Sequence, residues 1–243
     1  MKDGILCCIF NHNCNQGAIG WYERLRSDFD TVILDSGSEP ACVHEGAVLL
    51  DNIYYSGLMN KAYSLAKERG FRWLMIVTSD IEIDDKNTSA LISSMKEISG
   101  TSNVALYQPS CRWSCRGRAL YQSICHFTGG VRKVNFQEGW FHLVRTDVLA
   151  EIMPVDCNVN RFGWGIDLAL SHIARIRRLL VLVDDRVKVL HPKGTGYNRD
   201  AALSQMRAWH KTIPGYTSPR HFRPLRDRIE YLDKPSGQNT LNL

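Results

Sequence analysis

The sequence lacks several features that would place it in a functional class directly. No apolar run approaches the ~18–20 residues of a membrane span, no segment repeats, and no long block of Lys or Arg suggests a nucleic-acid partner. The phosphate loops GxGxxG and GxxxxGK[ST] are also missing. We therefore expect no nucleic-acid partner, and a bound nucleotide would need its phosphates neutralised in some other way.

The eight cysteines do not form a recognisable framework. They are scattered through apolar segments and loops, and no secretory leader precedes them, which favours reduced thiols in a cytosolic protein. Cys111, Cys115, Cys125 and His126 are the candidates for structural zinc, although their spacing matches no common zinc module. We expect a cytoplasmic protein that contacts the inner face of a membrane, if at all, only peripherally.

The composition is that of a globular protein with a substantial core. The 243 residues are 44% hydrophobic and carry a formal net charge of +5, which mildly favours anionic ligands or an anionic membrane surface. From Ile213 onward Pro, Arg and Gly dominate. We therefore predict one domain over residues 1–212, and a basic tail over 213–243 that packs on the domain or extends from it.

Apolar strands and amphipathic helices alternate through the first third of the chain. This alternation predicts an α/β fold with a Rossmann-like, mostly parallel sheet and helices on its faces. Gly70 is a natural stop for the second helix. The predicted strands are 5–10, 31–34, 48–50, 73–77, 103–108, 131–136, 140–144, 179–183 and 187–190. The predicted helices are 20–27, 57–69, 146–152, one that starts near Asp167, and one around 202–209. The helix that starts near Asp167 is predicted to bury Ala169, Ile173, Ile176 and Leu180.

Polar side chains follow three of the early strands at the point where each strand ends. In open α/β sheets, ligands bind outside the carboxyl ends of the strands. We therefore expect these residues to meet at one edge of the sheet and to form a site. They are Asn11 and Asn13 after the first strand, Asp35 and Ser36 after the second, and Ser79, Asp80 and Glu82 after the strand at 73–77.

Asp80 and Glu82 follow an unbroken apolar run at 73–77. In extended chain, residues two apart point to the same side, so this strand would present two carboxylates together. Such a pair is costly at a buried strand end unless a cation is present, and a hard divalent ion shared with substrate phosphates would meet that need. The alternative is that these acids cap the next helix or face water.

Asp167 begins a helix behind two glycines and Trp164. The helix dipole favours the ionised carboxylate there, so Asp167 is a candidate general base, although Asp is also a common helix cap. Trp164 offers a ring on which a polar ring substrate could stack. His191 ends a strand and is a candidate metal ligand, while a lone His is often structural.

Together these segments resemble the GT-A-type nucleotide-sugar glycosyltransferases, especially the large inverting family 2-like group with bacterial polysaccharide and O-antigen enzymes. The resemblance extends from the first strand to about Tyr197. One departure is that Trp164 and Gly165 stand where many members carry an adjacent acidic pair. The matching segments are 9–11, 35–38, 80–82, 139–145, 163–167 and His191.

This resemblance implies a GT-A fold and the transfer of a sugar from a nucleotide-diphosphate donor to a saccharide or lipid-linked saccharide, with inversion. It implies that Asp35 binds the nucleobase and that Asp167 deprotonates the acceptor hydroxyl. Mn²⁺ or Mg²⁺ would lie on the diphosphate. The implied metal ligands are Asp80, Glu82 and His191. Besides Asp35, the implied donor-binding residues are Phe10, Asn11, Asn13, Ser36, Asn60, Ser79 and Asp80. The implied acceptor-binding residues are Trp140 and Trp164.

One position within the matching segment 35–38 is left out of the donor-binding set. Position 37 lies between two serines but is itself a glycine, Gly37, rather than a third serine. A glycine has no side chain with which to contact a donor. We therefore assign position 37 no donor-binding role.

Two other functions stay open at this point. A sugar-phosphate nucleotidyltransferase would share the sheet but would carry a basic, Gly-rich loop after the first strand, where this chain has 11–15, NHNCN. A non-catalytic nucleotide-sugar binding module is favoured by the missing acidic pair at Trp164 and Gly165. The acid-x-acid motif itself is shared by inverting and retaining transferases.

Overall fold

The structure is a computed structural model that describes residues 2–111, 123, 129–191, 197–216 and 230–231. These residues form a nine-stranded sheet with six helices. The strands are β1 (Lys2–Asn11), β2 (Asp30–Ser36), β3 (Ala47–Leu50), β4 (Phe71–Thr78), β5 (Val104–Cys111), β6 (Val131–Lys133), β7 (Phe141–Arg145), β8 (Leu180–Val189) and β9 (Glu230–Tyr231). The helices are α1 (Asn15–Leu25), α2 (Tyr54–Arg69), α3 (Asp85–Ser99), α4 (Thr146–Leu149), α5 (Ile166–Ile176) and α6 (Arg199–His210).

The strand order is β3-β2-β1-β4-β7-β5-β8-β6-β9. The first four of these strands are parallel to one another, β7 runs antiparallel between β4 and β5, and β5 and β8 are again parallel. Strands β6 and β9 extend the far edge in antiparallel fashion. The predicted α/β class is therefore confirmed, and the parallel part is the part that the alternation of strands and helices predicted.

The central strands are buried on both faces because alternate residues enter two different cores. On β1, Leu6 and Cys8 lie in one core, which α2 and α5 cover, whereas Cys7 and Ile9 lie in the other, which α1 and α3 cover. A strand that is covered on both faces needs an unbroken apolar run, as β1 and β4 have. Helix α2 ends at Gly70 in the left-handed conformation, φ 75°, as predicted.

The two strands predicted at 179–183 and 187–190 are wrong, since both segments belong to the single strand β8. The register opposite β5 jumps between Asp184 and Lys188, so the residues between them form a bulge. The acids in the bulge are buried because each has a cationic partner: Asp184 accepts hydrogen bonds from Arg186, and Asp185 pairs with the fully buried Arg132. Paired charges can stay inside a sheet where unpaired ones could not.

Other helix boundaries also differ from the prediction. Helix α1 starts at Asn15 rather than at residue 20, and α5 ends before the predicted buried stripe does. Ile176 is 57% exposed, and Leu180 already belongs to β8. The apolar spacing overestimated α5 because the chain turns at Arg178, which has a positive φ of 55°.

The packed part of the chain continues past residue 212. Ile213 is buried in the core beneath α2 and α5, and Tyr216 packs against that core. Residues 217–229 and 232–243, which include most of the predicted basic tail, lie outside the described residues, as do Cys115, Cys125 and His126. In the described part of the chain, no helix has the length and apolarity of a membrane span.

Candidate functional site

Three parallel strands end together at one edge of the sheet, and Asn11 joins their ends. Its Nδ2 donates to Asp35 Oδ1 at the end of β2 and to Asn15 Oδ1 in α1, both at 2.8 Å. Its Oδ1 accepts from Ser79 Oγ, just after β4, at 2.9 Å. Asn11 has no exposed surface. Asn11 therefore connects the strand ends from inside the protein, and any contact that it makes with a ligand would be indirect.

Asp35 lies beside Asn11 and is only 2% exposed. Its Oδ1 accepts from Asn11 and from the hydroxyl of Ser38, and its Oδ2 accepts from the Cys42 N–H at 2.9 Å. The carboxylate thus shapes the loop after β2. Binding of a nucleobase by Asp35 stays a prediction, and Oδ2, with its single protein donor, is the atom that could accept another hydrogen bond.

Gly37 turns the chain immediately after β2. Its φ is +64°, a left-handed value that favours glycine, and its N–H donates to the Leu50 carbonyl at 2.9 Å. A Cβ atom added there would stand 2.9 Å from the Asn52 backbone nitrogen. The local geometry therefore requires glycine at position 37, and this residue offers a donor no hydroxyl.

The loops above Asn11 are joined to one another. Asn13, with a left-handed φ of 59°, donates its N–H to Ser38 Oγ at 2.8 Å and accepts from the Glu39 N–H at 2.7 Å. Ser36 is buried and accepts from the Ile53 N–H at 2.9 Å. Of these residues Asn13 and Glu39 are the exposed ones. These contacts make the loops after β1, β2 and β3 one continuous rim.

Gly17 lets α1 approach the end of β4. A Cβ atom added at Gly17 would stand 2.1 Å from the carbonyl oxygen of Ser79, closer than any real Cβ contact. The Ser79 N–H donates to the Phe10 carbonyl, which fixes the same corner from the other side. The first turn of α1 therefore lies at the rim, and its N-terminus adds partial positive charge there.

Two of the predicted donor residues have other partners. Phe10 is 4% exposed and packs edge-on against Tyr55, with 5.4 Å between ring centroids. Asn60 lies within α2, and its amide makes two hydrogen bonds of 2.8 Å with the main chain of Val155. Both residues therefore support neighbouring elements, and their direct contact with a donor stays a prediction.

The structure brings together two of the three predicted metal ligands. His191 Nε2 lies 3.7 Å from Asp80 Oδ2. Glu82 is exposed and pairs through its backbone with Leu190 in an antiparallel bridge. Paired residues of a bridge point to the same side of the chain, and the residues next to them point to the other side. Glu82 therefore faces solvent beside Leu190. His191, the residue after Leu190, turns the other way, toward Asp80.

Asp84, two residues after Glu82, has a structural role. Asp84 caps α3, where its Oδ1 accepts from the Asn87 N–H at 2.8 Å. Among the residues that the structure describes, no three His, Cys, Asp or Glu side chains lie together as a ready metal site. The pair of Asp80 and His191 still fits an ion that takes most of its ligands from substrate phosphates and water, which is how Mg²⁺ is usually bound.

Trp140 backs His191 from inside the protein. Its ring is 5% exposed and stacks on the imidazole with 5.9 Å between centroids and 29° between planes. Its Nε1 donates to Glu138 Oε2 at 3.3 Å. A buried ring of this kind orients His191, and a contact between Trp140 and an acceptor stays a prediction.

Asp167 lies against Gly139, the residue before Trp140. A Cβ added at Gly139 would be 3.7 Å from Asp167 Oδ2 and 3.8 Å from the Tyr55 hydroxyl. Burial raises the pKa of Asp167 to about 7, with the negative charge of Glu138 acting in the same direction, while the N–H groups of Leu168 and Gly139 oppose the shift. The expectation that the helix N-terminus keeps Asp167 fully ionised is therefore wrong, because burial outweighs the helix dipole.

Several aromatic residues at the site were not predicted. Tyr55 donates from its hydroxyl to the Gly139 carbonyl at 2.5 Å and supports Gly163, whose added Cβ would stand 2.4 Å from the ring. Trp164 was predicted, and its Nε1 donates to the Tyr197 hydroxyl at 2.7 Å. Phe162 stacks on Tyr197. The available signal was the pair of aromatic residues at the start of α2, but nothing local connects these residues to partners at least 84 positions away.

Comparisons with known proteins agree with this geometry at the level of the fold. No protein-family model and no curated protein matches the chain. A structure of glucosyl-3-phosphoglycerate synthase from Mycobacterium tuberculosis, in complex with Mg²⁺ and UDP, matches 88% of this chain and 80% of its own, with 11% identity and a TM-score of 0.58. A mycobacterial protein matches 88% and 76%, with 13% identity and a TM-score of 0.55.

A structure of GalNAc-T7 with UDP, GalNAc and Mn²⁺ is similar over 79% of this chain, with 12% identity and a TM-score of 0.57. The similar region is 44% of GalNAc-T7, so this chain corresponds to less than half of that protein. The chain has a GT-A fold. The predicted fold class is thereby confirmed, and at these identities the similarity extends to the fold alone.

Proposed function

We propose that the protein is a glycosyltransferase that moves a sugar from a nucleotide-diphosphate donor to a hydroxyl group of a saccharide or lipid-linked saccharide. The observation that carries this proposal is that adjacent residues of the segment 138–140 contact two groups that a sugar transfer needs. Asp167 lies against Gly139, and the next residue, Trp140, stacks on His191 beside Asp80. A base and a diphosphate-binding edge are thus separated by a single short segment.

Asp167 would act as the general base. As the acceptor oxygen attacks the anomeric carbon, Asp167 takes the hydroxyl proton, and the nucleotide diphosphate leaves with the electrons of the broken bond. Base catalysis of this kind typically contributes ~10²–10⁴-fold. A pKa of about 7 suits the task, because the carboxylate is then available near neutral pH and still binds a proton firmly. Inversion, in which the base stands on the face opposite the leaving group, is part of this proposal.

Asp80 and His191 would hold Mn²⁺ or Mg²⁺, while Glu82, which faces solvent beside Leu190, would have to reorient to join them. When bound, the ion would stabilise the charge that develops on the leaving diphosphate. Trp140 fixes the ring of His191, and the hydrogen bonds of Ser79 to Phe10 and Asn11 fix the turn that carries Asp80. The chain itself therefore places these groups before any ligand arrives.

The rim would receive the nucleotide. Asn13 is exposed there, whereas Asn11, Asp35 and Ser36 are buried and shape the loops. We propose that Asn13 and the main chain of the rim contact the nucleoside and that Asp35 contributes through Oδ2. The positive end of α1 adds a favourable field for phosphates. A role in polysaccharide or O-antigen synthesis at the cytoplasmic face of a membrane is part of the same proposal.

A thermal-shift and turnover screen with UDP-, GDP-, dTDP- and CMP-sugars, each with and without Mn²⁺, tests this function. We expect one nucleotide to stabilise the protein and its sugar conjugate to be hydrolysed slowly or transferred. Asp167→Asn should keep nucleotide binding and lose turnover, while Asp200→Asn, in the first turn of α6, is the matched control. Failure of every nucleotide to bind would overturn the proposal.

A non-catalytic binding module is the second candidate, and one observation favours it. Trp164 and Gly165 occupy positions where related transferases often carry an acidic pair, and Trp164 is engaged with Tyr197. Nucleotide binding without release of UDP, GDP, dTDP or CMP from the corresponding sugar conjugates would decide for this alternative.

A further inference from the structure

Four aromatic side chains line one side of the site next to Asp167. Tyr54 meets Phe162 edge-on at 5.4 Å, and Phe162 stacks on Tyr197 with 4.8 Å between centroids and 16° between planes. Trp164 completes the row through its hydrogen bond to the Tyr197 hydroxyl. All four are partly exposed. We call these four residues the aromatic wall.

The backbone behind the aromatic wall is held in place. The Arg161 carbonyl accepts from the Ser56 N–H at 3.2 Å, and the Arg161 N–H donates to Gln205 Oε1 at 3.0 Å. Gly163 has a positive φ of 74° and packs on Tyr55 so closely that no side chain would fit. The wall is therefore preorganised, which lowers the entropic cost of binding a ligand on it.

Arg161 stands at the far end of the aromatic wall. Its guanidinium carbon lies 3.9 Å from the centroid of the Tyr54 ring and 5.9 Å from that of Phe162. The residue is exposed, and within the described part of the chain its side chain has no carboxylate partner. Other described arginines, such as Arg145 and Arg186, are paired with acids.

A stacked guanidinium is well suited to bind an anion. The guanidinium lies over the Tyr54 ring, and among the described residues no carboxylate pairs with its N–H edges. These edges match a carboxylate or phosphate in two parallel hydrogen bonds. The ring contact also restricts the long side chain before binding. An exposed arginine in this state is preorganised for a planar anionic group.

We propose that Arg161 binds a carboxylate or phosphate group of the acceptor while the aromatic wall stacks on its sugar rings, so that the acceptor is an anionic saccharide. This inference rests on the proposed function and adds the class of acceptor. The Arg161 guanidinium lies over Tyr54 and 5.9 Å from Phe162, and the Phe162–Tyr197 contact of 4.8 Å separates it from Tyr197, the ring that interacts with Asp167. The anionic group therefore belongs to a part of the acceptor away from the hydroxyl that Asp167 deprotonates.

This separation has a chemical benefit. An anion placed directly beside Asp167 would disfavour the charged carboxylate and raise its pKa further. At the far end of the aromatic wall the same anion gains the attraction of Arg161 without weakening the base. The arrangement thus reconciles a charged acceptor with a carboxylate that must itself be ionised.

Calorimetric binding of three small probes to the full chain tests the inference at pH 8. The probes are p-nitrophenyl glucoside, p-nitrophenyl glucuronide and p-nitrophenyl glucoside 6-phosphate, which differ in charge but share the ring. We expect the wild-type protein to bind one or both anionic probes about 10- to 100-fold more tightly than the neutral probe, as charge-assisted hydrogen bonds allow. A preference for the glucuronide or the phosphate identifies which anion the acceptor carries.

Arg161→Gln should abolish the preference for the anionic probe, and Arg161→Lys should retain part of it because the charge stays while the planar fork is lost. Arg178→Gln is the matched control, since Arg178 is also exposed and lies just after the end of α5. Equal affinity of the wild-type protein for charged and neutral probes, or the same loss in the Arg178 variant, would overturn the inference.

The outcome is separable from that of the proposed function. The probes contain no nucleotide, so their binding does not depend on the donor edge. If the protein binds a nucleotide and releases sugar but shows no preference for charged probes, only the anionic acceptor is rejected. If the wild-type protein prefers charged probes, loses this preference in Arg161→Gln and binds no nucleotide, only the transferase function is rejected.

Discussion

Replacing Asp167 by Asn should remove activity and at the same time stabilise the fold at neutral and alkaline pH. Burial and the charge of Glu138 raise the pKa of Asp167 to about 7, whereas an Asp in an unfolded chain titrates near ~3.9. Between these values the folded protein binds the proton that the unfolded chain releases. The free energy of unfolding therefore falls as the pH rises from about 4 to about 7 and then stays level.

The size of the effect follows from the shift in pKa. Each pKa unit corresponds to about 1.36 kcal/mol, so the full shift sets an upper limit of about 4 kcal/mol. Asp167 is partly exposed, and screening by solvent reduces this to about 1–3 kcal/mol. For a chain of this length each kcal/mol changes Tm by roughly 2–4 °C, which gives an increase of about 2–12 °C for Asp167→Asn.

Differential scanning calorimetry at four pH values between about 5 and about 8.5 measures this directly. The difference in Tm between Asp167→Asn and the wild-type protein should grow with pH up to about 7 and then remain constant. Asp200→Asn is the matched control, because Asp200 occupies the first turn of α6 but is exposed, and it should lose a little stability through the helix dipole. An Asp167→Asn variant no more stable than the wild type at the highest pH would refute the reasoning.

Two further perturbations test the geometry around this site. Glu138→Gln removes a negative charge that raises the pKa of Asp167, so the acidic limb of the rate against pH should move to lower pH; an unmoved limb would show that Glu138 does not act on the base. Gly17→Ala places a Cβ 2.1 Å from the Ser79 carbonyl and should cost about 1–3 kcal/mol in urea unfolding, whereas Gly100→Ala, with its nearest neighbour at 3.4 Å, should be nearly neutral. Equal losses in the two glycine variants would mean that α1 does not pack against the end of β4.

The sequence predicted the features that depend on short-range pattern. The apolar runs of β1, β2 and β4, the stop of α2 at Gly70 and the polar residues at the strand ends are all readable because periodicity and burial are coupled. Parallel strands then bring Asn11, Asp35 and Ser79 to one edge, as topology requires.

The remaining features depend on contacts between distant segments. The pKa of Asp167 is set by burial and by Glu138, which precedes it by 29 positions in the sequence. The bulge in β8 places Asp185 against Arg132 on the neighbouring strand. Neither partner is marked by local spacing. Local sequence suggested that the helix dipole keeps Asp167 ionised and that a turn at Asp184 separates two strands. Contacts with distant residues make both interpretations wrong.

Binding of nucleotide diphosphates at the edge where β1, β2 and β4 end is the central claim, and isothermal titration calorimetry tests it most directly. UDP, GDP and dTDP would each be titrated into the wild-type protein and into Asp80→Ala, with and without Mn²⁺. We expect one nucleotide to bind in a Mn²⁺-dependent manner and Asp80→Ala to lose about tenfold or more in affinity, or ~1.4 kcal/mol. No heat of binding from any nucleotide, or unchanged Mn²⁺-dependent binding in Asp80→Ala, would contradict it.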